Sequence, residues 1–355
     1  MLAVLASPAH AGGGPPTDAY DGIDDSAIDV HGFADVYLAG NLDQPSSGQS
    51  QLRAFDTTAN EPALGWLRLR VARKPRLFGF RIDLGIGDQA VAYFASDPAA
   101  QLYPELSHVL SHVGQAFATV APTSDVSIDA GKFDTPIGLE DNESLTNWNY
   151  SRSFVFTWDE PSLQTGMRAT YVISPQVAVA AFWLNGWNAN ILNGSDMRSY
   201  AAAARWRPIA AVEAVVVYAG GLERAPHDPT TLSFRNLVDG YVTYELTRHI
   251  SLAATADYTP QFDGVAGYAR YAPSEWLAGA VRAERFADPS GIATGTPQTL
   301  AEVTATLEGR RVAYGTTVVT RLEYRRDAST ADVFDHAGTF ARTQQTLTLA
   351  LIASR

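Results

Sequence analysis

The sequence predicts an all-β fold: a transmembrane, antiparallel, up-and-down β-barrel of about 16 strands, with 14 and 18 as the alternative counts. Three observations lead there. Apolar and polar residues alternate with period two over long stretches, and helical periodicity is almost absent. Most alternating segments run ten residues or more, whereas strands of soluble proteins average about 5–6 and a tilted membrane strand needs about 9–11. The connections alternate between tight turns and long loops, as in a barrel with short turns on one side of a bilayer and long loops on the other.

Composition removes several classes. The chain of 355 residues has no cysteine, which excludes a disulfide scaffold and a thiolate metal site. With 38 acidic against 26 basic residues the net charge is −12, so a nucleic-acid partner is not expected, because phosphate contacts need a basic surface. Hydrophobic residues make up 46% and aromatics 10%, enough apolar surface to argue against disorder. No run approaches the roughly 18 apolar residues of a spanning helix. Near-neutral mean hydropathy is what alternating barrel strands produce.

Taken in order, residues 1–11 join the apolar run from Leu2 to Ala6 to the small-x-small pattern Ala9-His10-Ala11, and read as the tail of a signal peptide. Residues 12–27 form a leader, Gly-rich and then acidic at Asp18, Asp21, Asp24 and Asp25; the spacing of a calcium loop is absent and a solvated segment is expected. The barrel occupies 28–355. Its strands are expected near 28–42, 62–73, 76–88, 112–121, 126–134, 163–173, 177–186, 197–207, 211–222, 234–246, 250–259, 264–272, 276–286, 299–310, 314–326 and 342–354. From Phe78 to Ile86 one face is Phe78, Phe80, Ile82, Leu84 and Ile86, and the other is Gly79, Arg81, Asp83 and Gly85. The last strand sets Leu347, Leu349 and Leu351 against Gln344, Thr346 and Thr348.

Turns after even strands are short, as at 122–125 and 174–176, and loops after odd strands are mostly long: 43–61, 89–111, 135–162, 187–196, 223–233, 287–298 and 327–341. Only the connection at 260–263 breaks the parity. Tyr171, Trp183, Tyr200, Trp206, Tyr218, Tyr244, Tyr258, Tyr271 and Trp276 lie toward strand ends, where an interfacial girdle belongs.

With the apolar face outward, the inward face carries charge: Arg68 and Arg70, Arg81 and Asp83, Asp239 and Glu245, Arg282 and Glu284, Glu302 and Glu308, then Arg321, Glu323 and Arg325. A barrel of about 16 strands is wide enough for an aqueous channel.

Several stretches resemble the OmpL-like β-barrel porins of Gram-negative outer membranes. They are Gly131-Lys132-Phe133-Asp134-Thr135-Pro136-Ile137-Gly138-Leu139-Glu140, Asn149-Tyr150-Ser151-Arg152-Ser153, Asn185-Gly186-Trp187, Arg282-Ala283-Glu284-Arg285-Phe286-Ala287-Asp288-Pro289-Ser290-Gly291 and Arg321-Leu322-Glu323-Tyr324-Arg325-Arg326-Asp327. They follow in order along most of the chain from about 28 to 355. The resemblance implies a barrel in the bacterial outer membrane with a channel role, and no catalytic residues. The chain departs from the pattern at its end, Ala353-Ser354-Arg355, where such barrels usually carry an aromatic.

The longest loop, 135–162, carries Glu140, Asp141, Glu143, Asp159 and Glu160 against one basic residue, Arg152. By analogy with general porins it is expected to fold inward and narrow the pore, its acids facing Arg68, Arg70 and Arg81 across a transverse field. The plainer alternative is a solvated external loop, with the arginines paired to lumenal carboxylates for stability. The expected function is passive diffusion of small hydrophilic solutes or ions. The expected partners are outer-membrane lipid and lipopolysaccharide and the barrel-assembly machinery, with a homo-oligomer left open; no cofactor is expected.

Two rivals remain. A plugged structural or adhesive barrel would work through its external loops. A barrel enzyme would need a Ser–His pair, and the seven histidines suggest no such pairing. His108 and His112, four apart, fit one helical turn in a loop, but Val109 stands where the zincin motif needs Glu, so no metal site is expected.

Overall fold

The computed structural model describes residue 20 and residues 28–101, 103–189, 198–225 and 228–355. Sequence patterning shapes every element. The first strands are β1 (Asp29–Asn41), β2 (Pro62–Arg73) and β3 (Phe78–Ile86). A helical loop with α1 (Asp88–Ser96) and α2 (Pro104–Ser111) leads to β4 (Val113–Val120) and β5 (Val126–Asp134). The long loop holds α3 (Phe154–Asp159). Then come β6 (Leu163–Ser174), β7 (Val177–Leu184), β8 (Ser199–Ile209), β9 (Val212–Ala225), β10 (Asp228–Thr247), β11 (Ile250–Tyr258), β12 (Asp263–Ser274), β13 (Leu277–Asp288), β14 (Gln298–Ala313) and β15 (Thr316–Ser329). A small hairpin of β16 (Phe334–His336) and β17 (Thr339–Ala341) precedes the last strand, β18 (Thr343–Ser354).

Sixteen of these strands form one closed antiparallel barrel, each paired with its chain neighbour. β18 pairs with β15 on one side and closes the sheet against β1 on the other, from Phe33↔Ser354 to Asn41↔Thr346. Closure leaves no free strand edge, which is the condition for β-structure in lipid.

Burial alternates with the pleat. On β14, Glu302, Thr304, Thr306 and Glu308 are buried inward while Ala301, Val303, Ala305 and Leu307 are exposed outward. The outward face of the barrel is apolar, with Leu67, Leu69, Leu84, Val281, Leu322 and Leu349 among its exposed side chains. All nine girdle aromatics named from the sequence are exposed, from Tyr244 at 39% to Tyr258 at 62%.

The structure corrects the sequence reading at two places. The segment 223–233, expected as a long loop, is mostly strand: β9 runs to Ala225, β10 starts at Asp228, and the ladder shifts register between Asp228 and Leu232. The inner wall is also not charged all round. Across the middle of β7, β8 and β9 its lining is largely apolar, with Ala180, Phe182, Ala201, Ala203, Val215 and Val217 in one cluster with Phe117, Phe133 and Ile137, and with Ser199, Arg205 and Glu223 as buried polar members of the same strands. Residues 1–11 and most of the leader 12–27 lie outside the described residues; Tyr20 is described.

Candidate functional site

The site is the barrel interior and the loop 135–162 that fills part of it. β13 and β15 each turn a row of charged side chains inward, and these rows hold the loop. Arg282 of β13 is fully buried, donates to Glu140 Oε1 of the loop at 2.7 Å and to the Ser151 carbonyl at 2.7 Å, and pairs with Glu302 at 2.6 Å. Arg321 of β15 donates to the carbonyls of Ser144 and Asn147, each at 2.6 Å, and pairs with Glu308 at 2.8 Å. Arg325 donates to the Arg152 carbonyl and pairs with Asp327 at 2.6 Å.

Carboxylates of the same rows take the loop's N–H groups. Glu323 accepts from the backbone of Tyr150 and Ser151, and Glu284 from Phe154 at 2.6 Å and Val155 at 3.2 Å. Those last two N–H groups open α3, where a carboxylate also meets the positive end of the helix dipole. Ser153 caps the same helix, its Oγ accepting from Phe156 N at 3.0 Å. On β1, Asp35 accepts the hydroxyls of Ser144 at 2.6 Å and Tyr150 at 3.0 Å. Irregular backbone sits at membrane depth only where protein satisfies it, and this wall does so.

The opposite contact is smaller. Arg68 of β2 pairs with Glu143 of the loop and lies 3.5 Å from Asp83 of β3; its guanidinium stacks between Phe33 and Trp66, 5.2 and 4.7 Å from their ring centres. Arg70 reaches Asp83 at 3.3 Å and Glu143 at 3.6 Å, and Arg81 pairs with Asp83 at 2.7 Å. Burial alone would raise the Glu143 carboxyl, but Arg68 and Arg70 hold it below its ordinary value.

Of the loop acids expected to face Arg68, Arg70 and Arg81, Glu143 does so. Glu140 instead reaches across to Arg282, and Asp141 accepts the Glu143 N–H at 3.1 Å. Arg152 is a staple within the loop, donating to the carbonyls of Tyr150 and Asn142 at 2.6 Å and of Asp141 at 3.0 Å. The loop is thus neither a free acidic lip nor a solvated external segment.

A second set of acids escaped the sequence reading as a group. Asp159 and Glu160 end α3, and Asp239 and Asp257 project inward from β10 and β11. Both carboxyl oxygens of Asp159 and of Asp257, and one each of Glu160 and Asp239, are buried with no hydrogen-bond partner among the described residues. Gly138 lies against this group at φ +95°, its N–H 3.2 Å from Asp239 Oδ2, and a Cβ there would stand 1.8 Å from Glu160 Oε2. Burial and the neighbouring acids push both Asp159 and Glu160 well above the usual carboxylate range. Period two marks Asp239 and Asp257 as inward, but nothing local says that Gly138, 101 residues from Asp239, and the far end of its loop will join them.

His108 lies on α2, its ring centre 5.2 Å from that of His112, and His112 Nδ1 is 3.0 Å from the Gly85 carbonyl. No group of three His, Asp or Glu side chains is arranged to hold a metal among the described residues.

Comparison with known proteins fits this geometry. The family model described as "Putative beta-barrel porin-2, OmpL-like" matches residues 27–354. Among solved structures, the barrel is similar to outer-membrane expressed OmpT of Vibrio cholerae, with 10% identity, TM-score 0.56, and 94% of this chain and 98% of that chain covered. It is similar to a mutant of the Rh. blastica porin, with 13% identity, TM-score 0.51, and 92% and 99% covered. An in-vitro folded OmpT of Vibrio cholerae in trimer form gives 10% identity, TM-score 0.52, and 94% and 100% covered. At these identities the likeness is one of fold. The search of curated proteins returned no match.

Proposed function

The chain belongs to the OmpL-like β-barrel porin family and is a porin of the bacterial outer membrane, and from the pairing of its lumenal charges we propose that it passes small hydrophilic cations in preference to anions. One observation carries this reading. The arginines Arg68, Arg81, Arg168, Arg282, Arg321 and Arg325 are each matched by a carboxylate, whereas Asp159, Glu160, Asp239 and Asp257 keep buried oxygens without partners. Carboxyl oxygens without donors are ligands for a cation, and whichever of these acids ionises adds negative charge that no arginine offsets, which draws cations and repels anions. Glu143 and Asp83 against Arg68, Arg70 and Arg81 set a second, internally paired point along the wall.

The molecule acts by passive diffusion and catalyses nothing in this reading; assembly with lipopolysaccharide or with further copies of the chain is not needed for it. The test is the reversal potential of the refolded protein in a planar bilayer under a salt gradient. Cation preference in the wild type, weakened in Asp239→Asn/Asp257→Asn, supports the reading; anion preference overturns it.

The inward loop favours one second reading, a plugged barrel. Its backbone is bonded to β13 and β15 by buried side chains, which fills that sector of the lumen. Absence of any conductance steps from folded, inserted protein would favour this second reading.

A further inference from the structure

Tyr20 precedes β1 by nine residues, yet its side chain lies inside the barrel. Its hydroxyl is 2.7 Å from Thr119 Oγ1, and its ring meets Phe117 edge-on at 6.2 Å between centres. Thr119 and Phe117 are buried, inward-facing residues of β4, and Thr119 is the last but one residue before the short turn to β5. Short turns mark the periplasmic side of such barrels.

The contact belongs to an ordered chain of polar groups. The Thr119 hydroxyl donates to Asp129 of β5, and Asp129 accepts from Arg168 Nε of β6 at 2.7 Å. A hydroxyl has one proton to give, so Thr119 receives from Tyr20. Arg168 in turn lies over Phe133, 4.3 Å from its ring centre, and Tyr20 packs against the apolar cluster that contains Phe117 and Phe133. Chain length permits the placement. Nine residues span up to about 30 Å when extended. Three strand spacings, from β1 to β4, are about 15 Å. Burial first, and then Asp129, push the Tyr20 hydroxyl up to about 12, as a lumenal seat beside that carboxylate requires.

We propose that Tyr20 is a pore-restricting residue: its ring, supplied from before the first strand, occupies lumenal space at the periplasmic end and narrows the passage beside Asp129 and Arg168. The inference rests on the porin reading. It adds a residue that is not part of the barrel wall and that can be removed without touching a strand.

Single-channel conductance of wild type, Tyr20→Ala, Tyr20→Phe and Thr119→Val tests it, with heat-modified gel mobility as the check on folding. Tyr20→Ala should raise conductance, and Tyr20→Phe and Thr119→Val should raise it less, because the ring stays. The cysteine-free chain permits a second readout. In Tyr20→Cys a charged methanethiosulfonate added from the periplasmic side should lower the open current. Wild-type conductance that Tyr20→Ala leaves unchanged, with no block of Tyr20→Cys, overturns the inference and leaves the porin reading standing. A silent wild type beside a conducting Tyr20→Ala supports the inference in its strongest form. Silence in every variant overturns both.

Discussion

Arg282 on β13 and Glu140 at the start of the inward loop meet at 2.7 Å, with the arginine side chain fully withdrawn from solvent. The residues are 142 apart in sequence, so this one contact ties the loop to a wall eight strands further along the chain. Removing one partner of a buried ion pair leaves the other charge uncompensated, which costs about 3–5 kcal/mol. Arg282→Ala should therefore lower the thermal midpoint of the folded barrel and release the loop. Conductance recordings should become noisier, because Ser151 and Glu302 also each lose a partner. An unchanged midpoint with quiet recordings would show that the loop is held by other means.

The loop should respond to pH in two opposite senses. Glu143 ionises more readily in the folded loop than its ordinary value of 4.5, so it adds stability above that pH and loses it as the pH falls through the depressed value. Asp159 and Glu160 are raised, so they oppose folding once the pH exceeds the ordinary carboxylate range, and they relax below it. Glu143→Gln should flatten the acid limb of a stability–pH curve. Asp159→Asn/Glu160→Gln should stabilise the protein at pH 7 and make little difference near pH 4. Thermal melts of the three proteins across that range decide it, and parallel curves would contradict the assignment.

Gly138 has a sharper requirement. Its left-handed φ of +95° and the Glu160 carboxylate within 1.8 Å of a Cβ leave no room for a side chain. Gly138→Ala should destabilise by at least the ~1–3 kcal/mol of a strained backbone. Combining it with Glu160→Gly should recover part of the loss by removing the clash but not the strain. A melt in which Gly138→Ala matches wild type would contradict this packing.

Lipid contact can be read from tryptophan. Trp183, Trp206 and Trp276 are each about half exposed on the outer face, whereas Trp66 is buried inside. Brominated phospholipids should quench the first three, and replacing those three by Phe should remove most of the quenching. Equal quenching in the triple variant would place the lipid belt elsewhere.

Much of the barrel was legible because a membrane strand must be long and alternate. The segments 62–73 and 126–134 coincide with β2 and β5, and others differ by a few residues at their ends. What failed had a physical cause. Asp228 and Pro229 read as part of a loop, yet β10 already begins at Asp228, because a register shift at Asp228/Leu232 absorbs the irregularity. The apolar lumenal sector was hidden because β7 is apolar on both faces: Ala178-Val179-Ala180-Ala181-Phe182 gives no contrast by which to tell inside from outside.

The inward loop was legible in its length and its acids, and Arg282, Glu284, Arg321 and Glu323 were rightly set on the inner face. Their partners were not legible. Glu323 and Glu284 bind backbone N–H groups of the loop, and a main-chain partner leaves no trace in residue identity. Tyr20 falls in the same class, since an acidic, glycine-rich surrounding sequence masks the single aromatic of residues 12–27, which enters the lumen.

The pairing of β1 with β18 bears on how this molecule is made. Phe33 and Ser354 meet across the seam, so the first strand waits for the last before the sheet can close. Contacts this distant in sequence form slowly. Until then both end strands present open hydrogen-bonding edges, which invite pairing with other chains. The newly exported chain must therefore be kept from its neighbours during assembly. A lesion in either end strand should appear as aggregation before it appears as altered transport.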